Sequence, residues 1–247
     1  MTQLLSHIEQ IYKSLNDDNE VDVIYLDFAK AFDKVDHSVL LSKLERYGVK
    51  GKAYNWIKEF LCDRKQIVVV ERCVPRNSAG PNTILFVLYI NDLLSTINHC
   101  NGFSFADDTK LLGAIKGMAS VNLLQEDLNT VIDWSKMNNM ELHEQKFEVV
   151  SYSLNSSKSL RELPFFPENV EYRTPKGHRI TPQDTVRDLG VHISGNRQWG
   201  PHIERTVQGA RKMAAWTLSA FRDRTQTVML TLYKSMVRSK LEYCCPV

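Results

Sequence analysis

Residues 100–114 read CNGFSFADDTKLLGA, and the polar break in the middle of this stretch decides the fold. Phe103–Phe105 and Lys110–Leu112 are short apolar stretches on either side of Ala106-Asp107-Asp108-Thr109. Two such runs around a tight polar tip predict a β-hairpin with the acids at its turn. Upstream, Val21–Leu26 is a β-branched and aromatic run, a predicted buried strand, and it leads straight into Asp27. Asp27 and the Asp107-Asp108 pair converge if these strands share one sheet. Adjacent carboxylates between buried runs are costly unless a cation or a donor neutralises them. Such hard oxygen ligands suit Mg²⁺, and two ions about 4 Å apart can polarise both the attacking and the leaving oxygen of a phosphoryl transfer. The same dipeptide at Asp17-Asp18 falls in a polar turn, so the pair by itself leaves a plain hairpin tip open as the alternative.

Around these segments the periodicity is mostly helical. Leu4, Leu5, Ile8, Ile11, Tyr12 and Leu15 form one stripe over residues 2–15. Asp36-His37-Ser38 reads as a cap on a helix carrying Val39, Leu40, Leu44 and Tyr47, closed by Gly48. A further helix carries Trp56, Ile57, Phe60 and Leu61, Gln66–Glu71 is a predicted strand, and a helix runs from Pro81 to near Asn98. Val121, Leu124, Leu128, Val131 and Ile132 mark another helix, followed by a strand over Phe147–Leu154. Residues 155–184 hold four prolines and read as an irregular connection, and two amphipathic helices are predicted over 202–221 and 228–241.

Composition narrows the classes further. The 247 residues are 43% hydrophobic and 24% charged, with 11 Gly and 8 Pro, which excludes a disordered or low-complexity chain. The longest apolar run, Ile84–Ile90, is seven residues, against roughly 20 for a membrane span. No secretory signal is visible at the N-terminus, and five cysteines without paired spacing fit reduced thiols, so an intracellular protein without a membrane partner is expected. No CxxC or HxxxH spacing supports structural zinc. The net charge of +2 hides an asymmetry: residues 187–247 hold ten Lys and Arg against four acids, net +6, which leaves −4 for the rest. A basic quarter of this kind is either a phosphate-facing surface or a solvated helical face.

VIYLDFAKAFDKVDHSVLLSKL (23–44), FVLYINDL (86–93) and FADDTKLL (105–112) resemble the palm segments of reverse transcriptases from non-LTR retrotransposons of the jockey and chicken-repeat type. RDLGVHIS (187–194) and the basic segment up to LEYCCPV (241–247) are similar to the region after the palm in those enzymes. The resemblance implies an α+β palm, an antiparallel sheet with helices on one face, followed by a helical thumb-like segment. It divides the chain into a palm over 1–156, an irregular connection over 157–184, and a primer-grip turn with basic helices over 185–247. It also implies RNA-directed DNA polymerase activity with an RNA template, a DNA primer and deoxynucleoside triphosphates, in the nucleus or the cytoplasm.

Residue roles follow from the same resemblance. Asp27, Asp107 and Asp108, with the backbone carbonyl of Phe28, would hold two Mg²⁺, or Mn²⁺ as a substitute, that activate a primer 3′-hydroxyl toward an incoming nucleotide. Phe32 matches the aromatic that sits under the sugar, with plain core packing as its alternative. Lys146 matches a catalytic lysine near the leaving pyrophosphate, with a solvent-exposed lysine as its alternative. Arg76, Asn77 and Ser78 fall in the nucleotide-binding loop, and Leu189 and Gly190 match the primer-grip turn. The loop departs from the family: CVPRNSAGPNTILF (73–86) has Arg76 and Asn77 where the family has Gln and Gly. Asn adds a side chain where glycine would let backbone lie against a ligand. The chain also begins just before the first catalytic strand, so the fingers are expected to be largely missing. Both departures favour a rival expectation, an inactive truncated remnant that at most binds nucleic acid.

Overall fold

The computed structural model describes residues 2–61, 66–67, 76–77, 83–154 and 171–245. In chain order the elements are α1 (Thr2–Asn16), β1 (Glu20–Leu26), α2 (His37–Arg46), α3 (Gly51–Leu61), β2 (Gln66–Ile67), β3 (Arg76–Asn77), α4 (Thr83–Ile90), β4 (Asn101–Phe105), β5 (Asp108–Ile115), α5 (Met118–Met137), β6 (Glu148–Tyr152), β7 (Thr181–Pro182), β8 (Thr185–Asp188), β9 (Val191–Ser194), α6 (Gly200–Ala220) and α7 (Gln226–Leu232). The last helix continues through a π-helical stretch, Tyr233–Arg238.

The main sheet runs β4-β5-β1-β6-β7. It is antiparallel except at its edge, where the two-residue β7 lies parallel to β6. β1 is its central strand, and six of its seven residues are buried because both of its faces are covered. The two-residue side-chain alternation sorts the core into two layers. Ile24, Leu26, Leu111, Ile115 and Val149 point into a layer with Leu40 and Leu44 of α2, Phe86 and Tyr89 of α4, and Leu124, Leu128 and Val131 of α5. Val21, Val23, Leu112, Val150 and Tyr152 point the other way, onto Leu4, Ile11 and Leu15 of α1 and Val186, Val191 and Ile193 of the β8–β9 hairpin. Each fully buried aliphatic or aromatic side chain in these layers contributes about 1.5–3 kcal/mol.

The α+β palm is therefore present, and the expectation of helices on one face needs correction. One face carries α2, α4 and α5, and the opposite face carries α1 and the β8–β9 hairpin. The cause is β1 itself: EVDVIYL buries residues on both sides, so a one-sided cover would leave Val21 and Val23 in water.

Two further features differ from the sequence expectation. α4 ends at Ile90 and not near Asn98. Asp92 turns back to accept from Lys43 Nζ at 2.7 Å and from Trp134 Nε1 at 3.2 Å, and Lys43 also donates to the Tyr89 carbonyl at 2.7 Å. A buried lysine that needs both acceptors bends the chain out of the helix. The described part of the expected connection, 171–184, also belongs to the core: Tyr172 and Ile180 are buried, and β7 completes the sheet.

Candidate active site

The strand register builds the site. Leu26 pairs with Thr109, Tyr25 with Glu148, and Phe105 with Asp108, so β1 ends beside the start of β5 and the start of β6. Tyr25 packs on the α1 side of the sheet, and alternation carries Asp27 to that same face. On β5, Leu112 sets the same phase for Lys110 and Asp108. Asp27, Asp108, Lys110, Lys146, Glu148 and Asp188 accordingly line one cleft of about 410 Å³ at the uncovered end of that face.

Asp107 occupies the tip of the β4–β5 hairpin with Ala106, which has φ +53°. A left-handed conformation costs a residue with a Cβ about 1–2 kcal/mol, and such strain persists only where the surroundings over-determine it. Asp107 is not among the residues lining the cleft and bears on it through the effect of its charge on Asp108. Burial, and after it the Asp107 carboxylate and then that of Asp188, push the Asp108 carboxyl above the usual range.

Asp27 is fixed from two sides. Its Oδ2 accepts from Lys146 Nζ at 2.8 Å, and its backbone carbonyl accepts from the His143 amide at 2.8 Å. Lys146 is delivered by a short 3₁₀ turn, Glu144–Lys146, immediately before β6. The segment after Asp27 is tied to the same stretch: the Ala29 amide donates to the Glu141 carbonyl, and Asn139 Nδ2 donates to Asp36 Oδ2 at 2.9 Å. Asp36 caps α2, its Oδ1 accepting from the Ser38 and Val39 amides as the sequence predicts. Ser38 first, then Asn139, hold its carboxyl down at about 2.

The other expected site residues divide into three groups. Phe28 is buried, its backbone bridges Leu142, and its ring joins the α2–α4–α5 core. Phe32 packs against Phe86 with ring centroids 4.5 Å apart, and it is not among the side chains lining the cleft. Arg76 and Asn77 form β3, paired with Ile67 and Gln66. Ser78 lies outside the described residues, as do Gly80, Pro81, Cys62 and Cys73.

Leu189 and Gly190 form the two-residue turn between Asp188 and Val191, both with positive φ, +46° and +86°. That geometry is the hairpin turn whose twist matches its strands, and the second position takes glycine without strain. Tyr243 donates its hydroxyl to the Leu189 carbonyl at 2.8 Å. Beside the turn, Arg187, His192, His202, Arg205, Lys240 and Tyr243 line a second groove of about 550 Å³. Part of the basic excess read from the sequence is therefore gathered next to the turn.

Sequence reasoning passed over one buried group on this face. Lys110 is ion-paired with Asp188, each side chain 3% exposed. His7 Nε2 lies 3.8 Å from Asp188 Oδ2 and 3.4 Å from the Tyr25 hydroxyl. Burial, with Lys110 adding to it, holds the imidazole neutral down to about pH 3. The available signal was alternation, since Asp108, Lys110 and Leu112 share one phase of the strand.

The donor chemistry fits a divalent cation: Asp27 already holds a cationic partner, and Asp108 is a carboxylate pushed up first by burial and then by the acids beside it. Among the described residues, no three His, Cys, Asp or Glu side chains are gathered into a ready ligand set. Among the same residues, no helix is long and apolar enough to cross a membrane.

A sheet whose adjoining strands end in carboxylates at an open cleft, covered by α1 and a hairpin on that face, is a polymerase-type palm. Residues 5–193 match the family model of reverse transcriptases (RNA-dependent DNA polymerases), and the chain belongs to that family. It is 26% identical over 230 residues to a probable RNA-directed DNA polymerase from transposon BS of Drosophila melanogaster, an alignment that covers 83% of this chain. The chain spans 23% of the length of that relative. Among solved structures it is similar to a Candida tropicalis telomerase truncated from its C-terminal domain (TM-score 0.49, 10% identity, 78% of this chain and 38% of that one). A second Candida tropicalis telomerase structure gives a TM-score of 0.48 at 9% identity, with 97% of this chain and 42% of that one covered.

Proposed function

We propose that this chain carries the palm and part of the thumb-like segment of an RNA-directed DNA polymerase, and that its cleft is the site where deoxynucleotides are added to a DNA primer on an RNA template. The observation that carries the reading is the register of β1 against β5, which brings Asp27 and Asp108 to one cleft, with Asp107 next to Asp108 in the hairpin turn. Asp27, Asp107 and Asp108, with the Phe28 carbonyl, would hold two Mg²⁺ or Mn²⁺ ions. Bound there, the metals supply Lewis-acid activation of the 3′-hydroxyl and stabilise the leaving pyrophosphate.

The chain's own residues supply the rest. Lys146 stands beside Asp27 as an exposed cation suited to the leaving phosphates. The Leu189–Gly190 turn supports the primer end, and the groove of Arg187, Arg205 and Lys240 beside it neutralises backbone phosphates. By the family resemblance Arg76, Asn77 and Ser78 would belong to the nucleotide-binding loop, and Phe32, whose ring packs on Phe86, would bear on the sugar only through that packing. The same reading divides the chain into palm (1–156), connection (157–184) and primer-grip turn with basic helices (185–247).

A second reading, nucleic-acid binding without turnover, is favoured by one specific feature: Arg76-Asn77 in the loop where glycine would let backbone approach a ligand. Primer extension separates the two readings. The purified chain is given an RNA template, an annealed DNA primer, deoxynucleotides and Mg²⁺, beside the Asp107→Ala/Asp108→Ala variant. Extension that disappears in the variant supports polymerisation. A folded chain that binds the hybrid without extending it supports binding alone.

A further inference from the structure

The layer between the sheet and the β8–β9 hairpin is apolar except along one row. Val21, Val23, Leu112 and Val150 face Val186, Val191 and Ile193 across it. At its open end, next to the cleft, Lys110 pairs with Asp188, and His7 of α1 reaches the same carboxylate. Lys110 is two residues beyond Asp108 on the same face of β5, and Asp188 immediately precedes Leu189. The pair therefore links the strand that begins with a site carboxylate to the hairpin that ends in the turn.

Stability alone does not account for charges here. Replacing a buried ion pair by well-packed apolar side chains is often neutral or stabilising, whereas the pair is satisfied in only one geometry. Apolar contacts between a hairpin and a sheet tolerate small slides that a charge-assisted hydrogen bond does not. The row also stands where register matters most, one pleat below Asp27 and Asp108, with the buried His7 of α1 3.8 Å from Asp188.

We propose that Lys110 and Asp188 are positioning residues that hold the Leu189–Gly190 turn at a fixed place relative to Asp108, and through it the primer terminus. The proposal rests on the polymerase reading of the cleft.

The test uses the full chain and a fluorescein-labelled DNA primer annealed to an RNA template, with fluorescence anisotropy for affinity and circular dichroism for melting. Lys110→Met leaves Asp188 buried without its partner and lowers the melting temperature. In Lys110→Met/Asp188→Leu both members of the pair become apolar, and His7 keeps its contact with the Tyr25 hydroxyl. That variant is expected to regain native melting and still bind the hybrid about tenfold more weakly. Native melting together with native affinity in the double variant would overturn the proposal, since the pair would then serve packing only. Should the double variant not fold, Asp188→Glu replaces it, keeping the charge on an arm one methylene longer. Native melting with weakened binding then supports the proposal, and native binding overturns it. A native chain that does not bind the hybrid defeats the polymerase reading and this inference together, whereas native binding unaltered in the folded variants defeats this inference alone.

Discussion

Replacing Gly190 by alanine tests the turn beside the cleft with one added methyl group. Gly190 has φ +86°, and a Cβ built there meets the Tyr243 ring at 3.1 Å. The left-handed backbone costs an L-residue about 1–2 kcal/mol. Relieving the contact shifts the Tyr243 ring and weakens its 2.8 Å hydrogen bond to the Leu189 carbonyl, a further loss of about 0.5–1.5 kcal/mol. The sum, about 1.5–3.5 kcal/mol, lowers the melting temperature by roughly 3–14 °C for a chain of this size. Gly209 is the internal control: it sits inside α6, nothing lies within 4 Å of its Cβ position, and Gly209→Ala should stabilise by about 1 kcal/mol. Urea unfolding of the native chain and both variants gives the comparison. Equal stability of Gly190→Ala and the native chain would refute the positive-φ turn and its contact with Tyr243.

Other expected outcomes concern the frame that holds the site. Asp127 is buried and accepts from the amides of Asn98, His99 and Cys100 at 2.8–3.0 Å, which anchors the start of β4. Asp127→Ala leaves three donors without an acceptor, and a loss of about 3 kcal/mol in urea unfolding is expected. Asp36→Ala removes the α2 cap and should cost about 1 kcal/mol. The folded-state value of Asp36 is depressed from 3.8 to about 2, so its stabilisation is full above about pH 4 and is lost as pH falls toward 2. The difference between native and Asp36→Ala melting should therefore shrink over that window, and a constant difference would exclude the cap. Binding of the RNA–DNA hybrid should weaken steeply from 50 to 200 mM salt, and a flat response would remove phosphate contacts from the account.

The sheet was legible because its signal is local. The β-branched and aromatic run Val21–Leu26 and the polar break at Ala106–Asp107 set a strand and a hairpin, and the structure places them side by side. The Asp36 cap was legible for the same reason: an acid two and three residues ahead of the amides it accepts from is a short-range pattern. What stayed hidden depends on distant partners. The part of the second cover of β1 that comes from the β8–β9 hairpin joins residues more than 150 positions apart. The end of α4 is set by Lys43, which lies 49 positions from Asp92. The Lys110–Asp188 pair spans 78 positions, and neither residue stands out within its own segment. Ala106 gave no warning of its left-handed backbone, because alanine there is the costly choice.

Asp27 and Asp108, brought together by strand register, would form a divalent-cation site. Calorimetric titration of Mn²⁺ into the native chain, Asp27→Asn, Asp108→Asn and Lys146→Ala tests it without requiring turnover. The expected result is binding to the native chain, weakened about tenfold or more by each aspartate substitution. Lys146→Ala should bind Mn²⁺ more tightly, because it frees the Asp27 carboxylate from its 2.8 Å ion pair. One Mn²⁺ affinity shared by all four proteins, or no binding to the native chain, would contradict the claim.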